Sequence, residues 1–260
     1  MIIAVLAFIM VQIYIDDMRK ISVGLGTSMP IWIFPFLYSQ FFTKIIYTML
    51  VVLLFCNAPF IDSNQTFVYI RSGRKKWLCG QILYIIFASA FYYIFLFAAT
   101  LLSTVFVGEI SLDWGKTLTT TANSNAAEFF GAPFVVMSNT VTGYFTPLQA
   151  VWFTFLVSWL CGIFIGLIIF LCNLLTGTRF VGTTIASLLV VLCALVDNGF
   201  PGLLPYSPVS WNTLDKIDVG GFTSNPTFIY CTAVYLSLIA ILTAAILIFG
   251  GRKNFGLKEK

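Results

Sequence analysis

The chain has 260 residues, of which 59% are hydrophobic, 17% aromatic and only 9% charged, with a formal net charge of +4. Soluble domains are about a quarter charged, so this composition excludes a globule with a water-covering surface. The absence of histidine removes the usual general base and the commonest metal ligand, and so small a positive charge calls for no nucleic-acid partner.

Apolar runs of about 20 residues cross a hydrocarbon core of about 30 Å at about 1.5 Å per helical residue. Six runs qualify as spans of a single all-α, polytopic membrane domain covering residues 1–260: 2–15, 31–56, 77–107, 150–174, 180–196 and 228–249. The first, closed by Asp16 and Asp17, reaches only about 22 Å as a helix. It begins at Met1 without a polar lead-in, so it either starts in the interface or follows an upstream segment. No basic n-region or small-x-small site marks it as a signal peptide. The fifth run is short and carries Gly182, Thr183 and Thr184, which predicts packing inside the bundle and away from lipid. All six cysteines (Cys56, Cys79, Cys161, Cys172, Cys193 and Cys231) lie in or beside apolar runs, as small buried hydrophobes do.

Orientation follows from the basic residues. With six spans, one side holds Arg71, Arg74, Lys75, Lys76, Arg179, Arg252, Lys253, Lys258 and Lys260, and the other only Arg19, Lys20, Lys116 and Lys216. The basic side is cytoplasmic by the positive-inside rule, so both termini are expected there. Trp32, Trp77 and Trp152 fall near span ends, as an aromatic belt would place them. The outer loops, 108–149 and 197–227, are long enough to be folded or functional. "GLGTS", 24–28, reads as a flexible outer turn.

The loop 57–76 is the longest soluble-looking stretch, "NAPFIDSNQTFVYIRSGRKKWL" with its flanks. Ser63 is placed to cap a short helix over 64–72, and Gly73 to stop it. Phe67 and Ile70 share one face at i, i+3, with Phe60 and Ile61 nearby, and Arg71, Arg74, Lys75 and Lys76 follow at the membrane surface. Two readings stand: an amphipathic helix lying on anionic lipid, or a docking helix that passes a partner's motion into two spans.

This loop resembles that of the membrane subunits of ATP-binding-cassette exporters of the type-2 permease family, in which a short helix is followed by Arg-x-x-Arg and a tryptophan entering the third span. "SPVSW", 207–211, is similar to a feature of the branch that exports bacterial peptide toxins and antimicrobial peptides, including phenol-soluble modulins. Such permeases usually carry an amphipathic segment ahead of the first span, which this sequence lacks. The resemblance implies a cytoplasmic coupling helix between spans 2 and 3, whose docking surface would comprise Phe60, Ile61, Phe67, Tyr69, Ile70, Arg71 and Arg74. It also implies a separate ATPase subunit carrying ATP and magnesium, a second permease copy, identical or not, and a bacterial plasma-membrane location.

Motifs for chemistry within the chain are absent. There is no GxxxxGK[ST] phosphate cradle and no GxSxG elbow, so the chain reads as a non-enzyme that needs no cofactor of its own. Lys44 stands about halfway along the second run, where a lipid-facing lysine costs about 2.5–3.5 kcal/mol. With Gln40 and Thr43 it forms a polar strip that either lines a translocation path or pairs at an interface. "FASAFYYIFLF", 87–97, is a cargo surface, a lipid-facing wall, or a close-packing face through Ala88, Ser89 and Ala90. The composition favours amphipathic peptides or lipid-like cargo. An ion-gradient transporter, for which acids inside the spans are missing, and a non-transporting assembly or immunity protein are the alternatives.

Overall fold

The computed structural model describes residues 2–60, 71–106, 108, 111–219, 221 and 223–252. Among the described residues the chain is all-helical, with only two isolated β-bridges, Met29 to Gly108 and Asp218 to Thr227. The helices are α1 (Ile2–Leu25), α2 (Phe41–Phe55), α3 (Arg74–Val105), three short ones, α4 (Gly115–Asn123), α5 (Ala126–Phe129) and α6 (Asn139–Tyr144), then α7 (Pro147–Thr176), α8 (Arg179–Gly199) and α9 (Phe228–Arg252). Four of them, α3, α7, α8 and α9, are long and apolar enough to cross a bilayer, as a membrane protein requires.

The first two elements depart from the hydropathy reading. Helix α1 does not stop at Ile15 but runs for 24 residues, about 36 Å. It continues through its acids because Asp17 is paired with Lys20 one turn on, at 2.5 Å, and accepts the Phe134 amide at 3.2 Å. Helix α2 is shorter than the apolar run: 15 residues, starting at Phe41. Residues 31–40 are spent on a 3₁₀ turn, Phe34–Phe36, whose proline and aromatic rings are buried in the core. Hydropathy cannot separate a buried turn from a span, since both are apolar.

Helix α7 is the axis of the bundle and contacts α2, α3, α8 and α9. Its Gly162 and Gly166 form a small-x-x-x-small stripe against α3. A Cβ at Gly162 would lie 3.0 Å from the Tyr93 ring, and one at Gly166 would lie 2.6 Å from Ile85 and 2.9 Å from Phe55. Such stripes let membrane helices approach closely, where dispersion replaces the hydrophobic drive. Ser89 meets this stripe, while Phe87 and Phe91 point outward at 60% and 71% exposure. The aromatic run therefore splits between a packing face and an outward face.

Helix α8 corrects an expectation. Gly182, Ala186, Val190, Cys193 and Asp197 make one buried stripe, but Thr184, Ile185, Leu188 and Leu195 face outward, so the helix is not enclosed. The C-terminal ends of α2, α7 and α9 meet the N-terminal ends of α3 and α8, so these five helices alternate in direction. One end of the bundle carries Arg71, Arg74 and Arg179 and is called here the basic end; the other is capped by the long loops. There α4 and its neighbours fold over α1: Thr117 Oγ1 donates to Ser28 O at 2.6 Å, Trp114 Nε1 to Phe145 O at 2.8 Å, and Trp32 Nε1 to Ser111 O at 2.8 Å. The GLGTS segment, expected to be a flexible turn, is pinned there by Thr27 against Thr117 at 2.8 Å, with Gly26 at positive φ. All six cysteines are free.

Candidate functional site

At the basic end, the hairpin between α2 and α3 stands on three helices. Asn173, near the end of α7, donates from Nδ2 to Ala58 O at 2.7 Å, and its Oδ1 accepts the Gly182 amide of α8 at 2.7 Å. The Phe60 amide donates to Gln81 Oε1 of α3 at 3.1 Å, and the Phe60 ring packs edge-on against Tyr84. On the other foot, Arg71 and Ser72 are helical and Gly73, at positive φ, breaks the helix before α3 starts. Arg74 donates to Gly251 O at 3.4 Å, in the last turn of α9, where a cation also meets the negative end of the helix dipole.

Of the docking surface expected from the sequence, Phe60, Arg71 and Arg74 are thus placed at the hairpin's feet, Arg71 exposed and the other two partly buried. Ile61, Phe67, Tyr69 and Ile70 lie outside the described residues. Trp77 is buried in the first turn of α3, whereas Trp152, near the start of α7, is 62% exposed as a belt residue would be. Beside the hairpin a cleft of about 560 Å³ is lined by Cys56, Asn57, Thr178, Arg179, Phe180 and Thr183.

The capped end holds the second cluster. Because α2 starts at Phe41, Lys44 sits in its first turn instead of mid-span. Gln40 and Thr43 cap that turn: Gln40 Oε1 accepts the Thr43 amide at 2.8 Å, and Thr43 Oγ1 donates to Gln40 O at 3.0 Å. Their polarity is therefore spent on the helix terminus. Lys44, only 3% exposed, is ion-paired with Asp197 Oδ2 in the last turn of α8, and donates to Ser210 O at 3.3 Å. Lys216 approaches Asp197 from the other side, 3.7 Å from Oδ1.

Each charge of the central pair sits at the wrong end of its own helix, a cation at an N-terminus and an anion at a C-terminus. Neither would be stable there alone, so each requires the other. Removing one partner of such a buried pair typically costs about 3–5 kcal/mol, far more than the pair itself contributes. Asp215 completes the group. Burial pushes its carboxyl above the usual carboxylate range, against the pull of Lys44, a hydrogen bond from Thr213 and the charge of Lys216.

Asp197 and Asn173 escaped the sequence reading, which ended the fifth span one residue before Asp197 and treated Asn173 as part of an apolar run. A usable signal existed. A lone lysine within an apolar run needs a carboxylate, and Asp197 is an acid at the edge of another run, though which acid Lys44 meets is set by the packing of α2 against α8. In comparisons with known proteins, no family model, no curated protein and no solved structure matches the chain.

Proposed function

We propose that the chain is the permease subunit of an ATP-driven exporter: six membrane-crossing helices, α1, α2, α3, α7, α8 and α9, with both termini and the 57–76 hairpin cytoplasmic. A separate ATPase subunit, holding ATP and magnesium, docks on the hairpin through Phe60, Ile61, Phe67, Tyr69, Ile70, Arg71 and Arg74. A second permease copy completes the path in a bacterial plasma membrane, and the cargo is an amphipathic peptide or lipid-like molecule. Export of antimicrobial peptides for self-protection uses the same machine.

The observation that supports this reading is the footing of the hairpin. Ala58 is bonded to α7 through Asn173, Phe60 to α3 through Gln81, and Arg74 to the end of α9. A push on the hairpin is therefore delivered to three helices at once, through one short buried bond, to α7, and two partly buried ones, to α3 and α9. A loop that only reverses the chain needs none of these. Movement of packed helices against each other is how such a push would switch access from one side of the membrane to the other.

The test is copurification of the intact complex from native membranes. An ATPase should accompany the chain and be lost on Phe67→Asp with Ile70→Asp, and a cysteine introduced among 71–76 should react only from the cytoplasm. An ATPase-free complex, or labelling of 71–76 from outside the cell, overturns the proposal.

One observation favours a second reading. Acids do lie within helices, Asp17 in α1 and Asp197 in α8, and Asp197 is buried against Lys44. Gradient-driven transporters carry such groups. Transport that stops when the proton gradient is collapsed with ATP intact would select that reading.

A further inference from the structure

The geometry points to a latched plug at the capped end of the bundle: residues 201–217 are a movable seal over the ends of α2, α7 and α8, and Lys44 is its latch. The segment consists of three consecutive 3₁₀ turns, Pro201–Tyr206, Pro208–Asn212 and Leu214–Lys216, none with a side-chain cap. Irregular backbone of this kind survives at the rim of a membrane bundle only when protein covers it. Here it is driven inward, with Val209, Ser210, Trp211, Asn212 and Thr213 all almost fully buried.

Few groups hold it. Trp211 packs its ring on Tyr230 and Tyr235 of α9 and donates to Leu204 O at 2.7 Å. Ser210 donates to Cys193 O of α8 at 2.8 Å. Lys44 ties the remaining sides together, since one ammonium meets Asp197 of α8, Ser210 O and Thr213 of the plug, and belongs itself to α2. Pulling α2 away from α8 therefore loosens the plug at the one point where all three meet.

In the closed arrangement the buried Asn212 Oδ1 and Asp215 Oδ1 accept no hydrogen bond, and Asp197 Oδ1 has only the Lys216 ammonium at 3.7 Å. Half-satisfied polar networks are costly in a low-dielectric interior, and water admitted on opening would satisfy them. Among the plug's contacts the Lys44 ammonium is the one group that joins α2, α8 and the plug at a single point, over a network that is incompletely hydrogen-bonded. As the far gate of a transport path, this inference rests on the permease reading. As a latch it does not, and the experiment below reads the latch alone.

Cys193, buried on the α8 stripe one turn from Asp197, is a native reporter beneath the plug, and Cys161, fully buried in α7, reports loosening of the whole bundle. Two full-length versions, each retaining one of these cysteines, are placed in nanodiscs and treated with a membrane-impermeant maleimide. Burial keeps both thiols slow. Lys44→Met, which leaves Asp197 only the more distant Lys216, and Asp197→Asn, which leaves Lys44 without its carboxylate, should each speed Cys193 labelling roughly tenfold or more, while Cys161 stays slow. The exchange variant Lys44→Asp with Asp197→Lys, combined with Lys216→Gln so that no cation faces the new lysine, restores a pair and places each charge at its favourable dipole end, and should return Cys193 labelling to the slow rate. Equal Cys193 rates with and without Lys44, or Cys161 rising in step, would overturn the latch. The first outcome would leave the plug held by packing, and the second would make the pair a staple of the whole fold. Loss of the ATPase partner would refute the permease reading and leave this measurement intact.

Discussion

Replacing Asn173 with leucine isolates the polar link between the hairpin and the bundle. The side chains have similar volume, so no cavity term enters, and the loss is confined to two hydrogen bonds of 2.7 Å each, to Ala58 O and from the Gly182 amide. Left unpaired in a dry interior, each backbone group would cost about 1–3 kcal/mol. Interhelical bonds in membrane proteins are worth less, about 0.6 kcal/mol on average and at most about 1.7, because the unfolded chain finds other partners in the membrane. Asn173 lies four residues before Gly177, which ends α7, so water at the rim relieves part of the penalty. The expected loss is about 2 kcal/mol, or roughly thirtyfold in the unfolding equilibrium. Reversible unfolding in mixed bicelles, followed by tryptophan fluorescence, measures it. Stability within about 0.5 kcal/mol of the parent, the range of an ordinary surface substitution, would refute the reasoning and remove the hairpin's strongest foot.

Close approach of α8 to α7 makes a second prediction. Gly182→Ala would put a methyl 2.4 Å from the Ile169 carbonyl, a backbone atom that cannot turn aside, and Gly166→Ala would meet Ile85 at 2.6 Å. Overpacking of this kind costs about 1–3 kcal/mol, with Gly182 the worse site, while Gly143→Ala, which meets nothing, should leave the melting temperature unchanged or slightly higher. A third concerns pH. Burial raises the Asp215 carboxyl above its unfolded value of about 3.9, so its contribution is fully present below that value and is lost as pH rises through the folded pKa. Asp215→Asn should therefore be more stable than the parent near neutrality and lose that advantage on acidification, as melting curves across the pH range would show; an advantage that stays constant with pH would contradict it.

Composition and charge pattern were sufficient for the class of this protein. A chain 9% charged has too few polar groups to cover itself in water, and runs such as 150–174 and 228–249 are too long and apolar for anything but buried or lipid-facing helix. The helix stop at Gly73 was also legible, because its positive φ suits glycine; the fifth run, expected inside the bundle, is buried only along the Gly182 side of α8. The limits of α1 and α2 were not legible. Asp17 continues a helix only because Lys20 and the Phe134 amide receive it, and the run at 31–40 turns only because the core accepts Phe34 and Phe36.

The pairing of Lys44 with Asp197 lay furthest from view. The two are 153 residues apart in the chain, and each looks misplaced by local rules, a cation at a helix start and an anion at a helix end. Charge in a low-dielectric interior is stabilised by whichever opposite charge the fold brings within reach, and that neighbour is a property of how α2 lies against α8. Local pattern determined what the helices are made of; antiparallel packing decided which of their ends meet, and so where the charges are held.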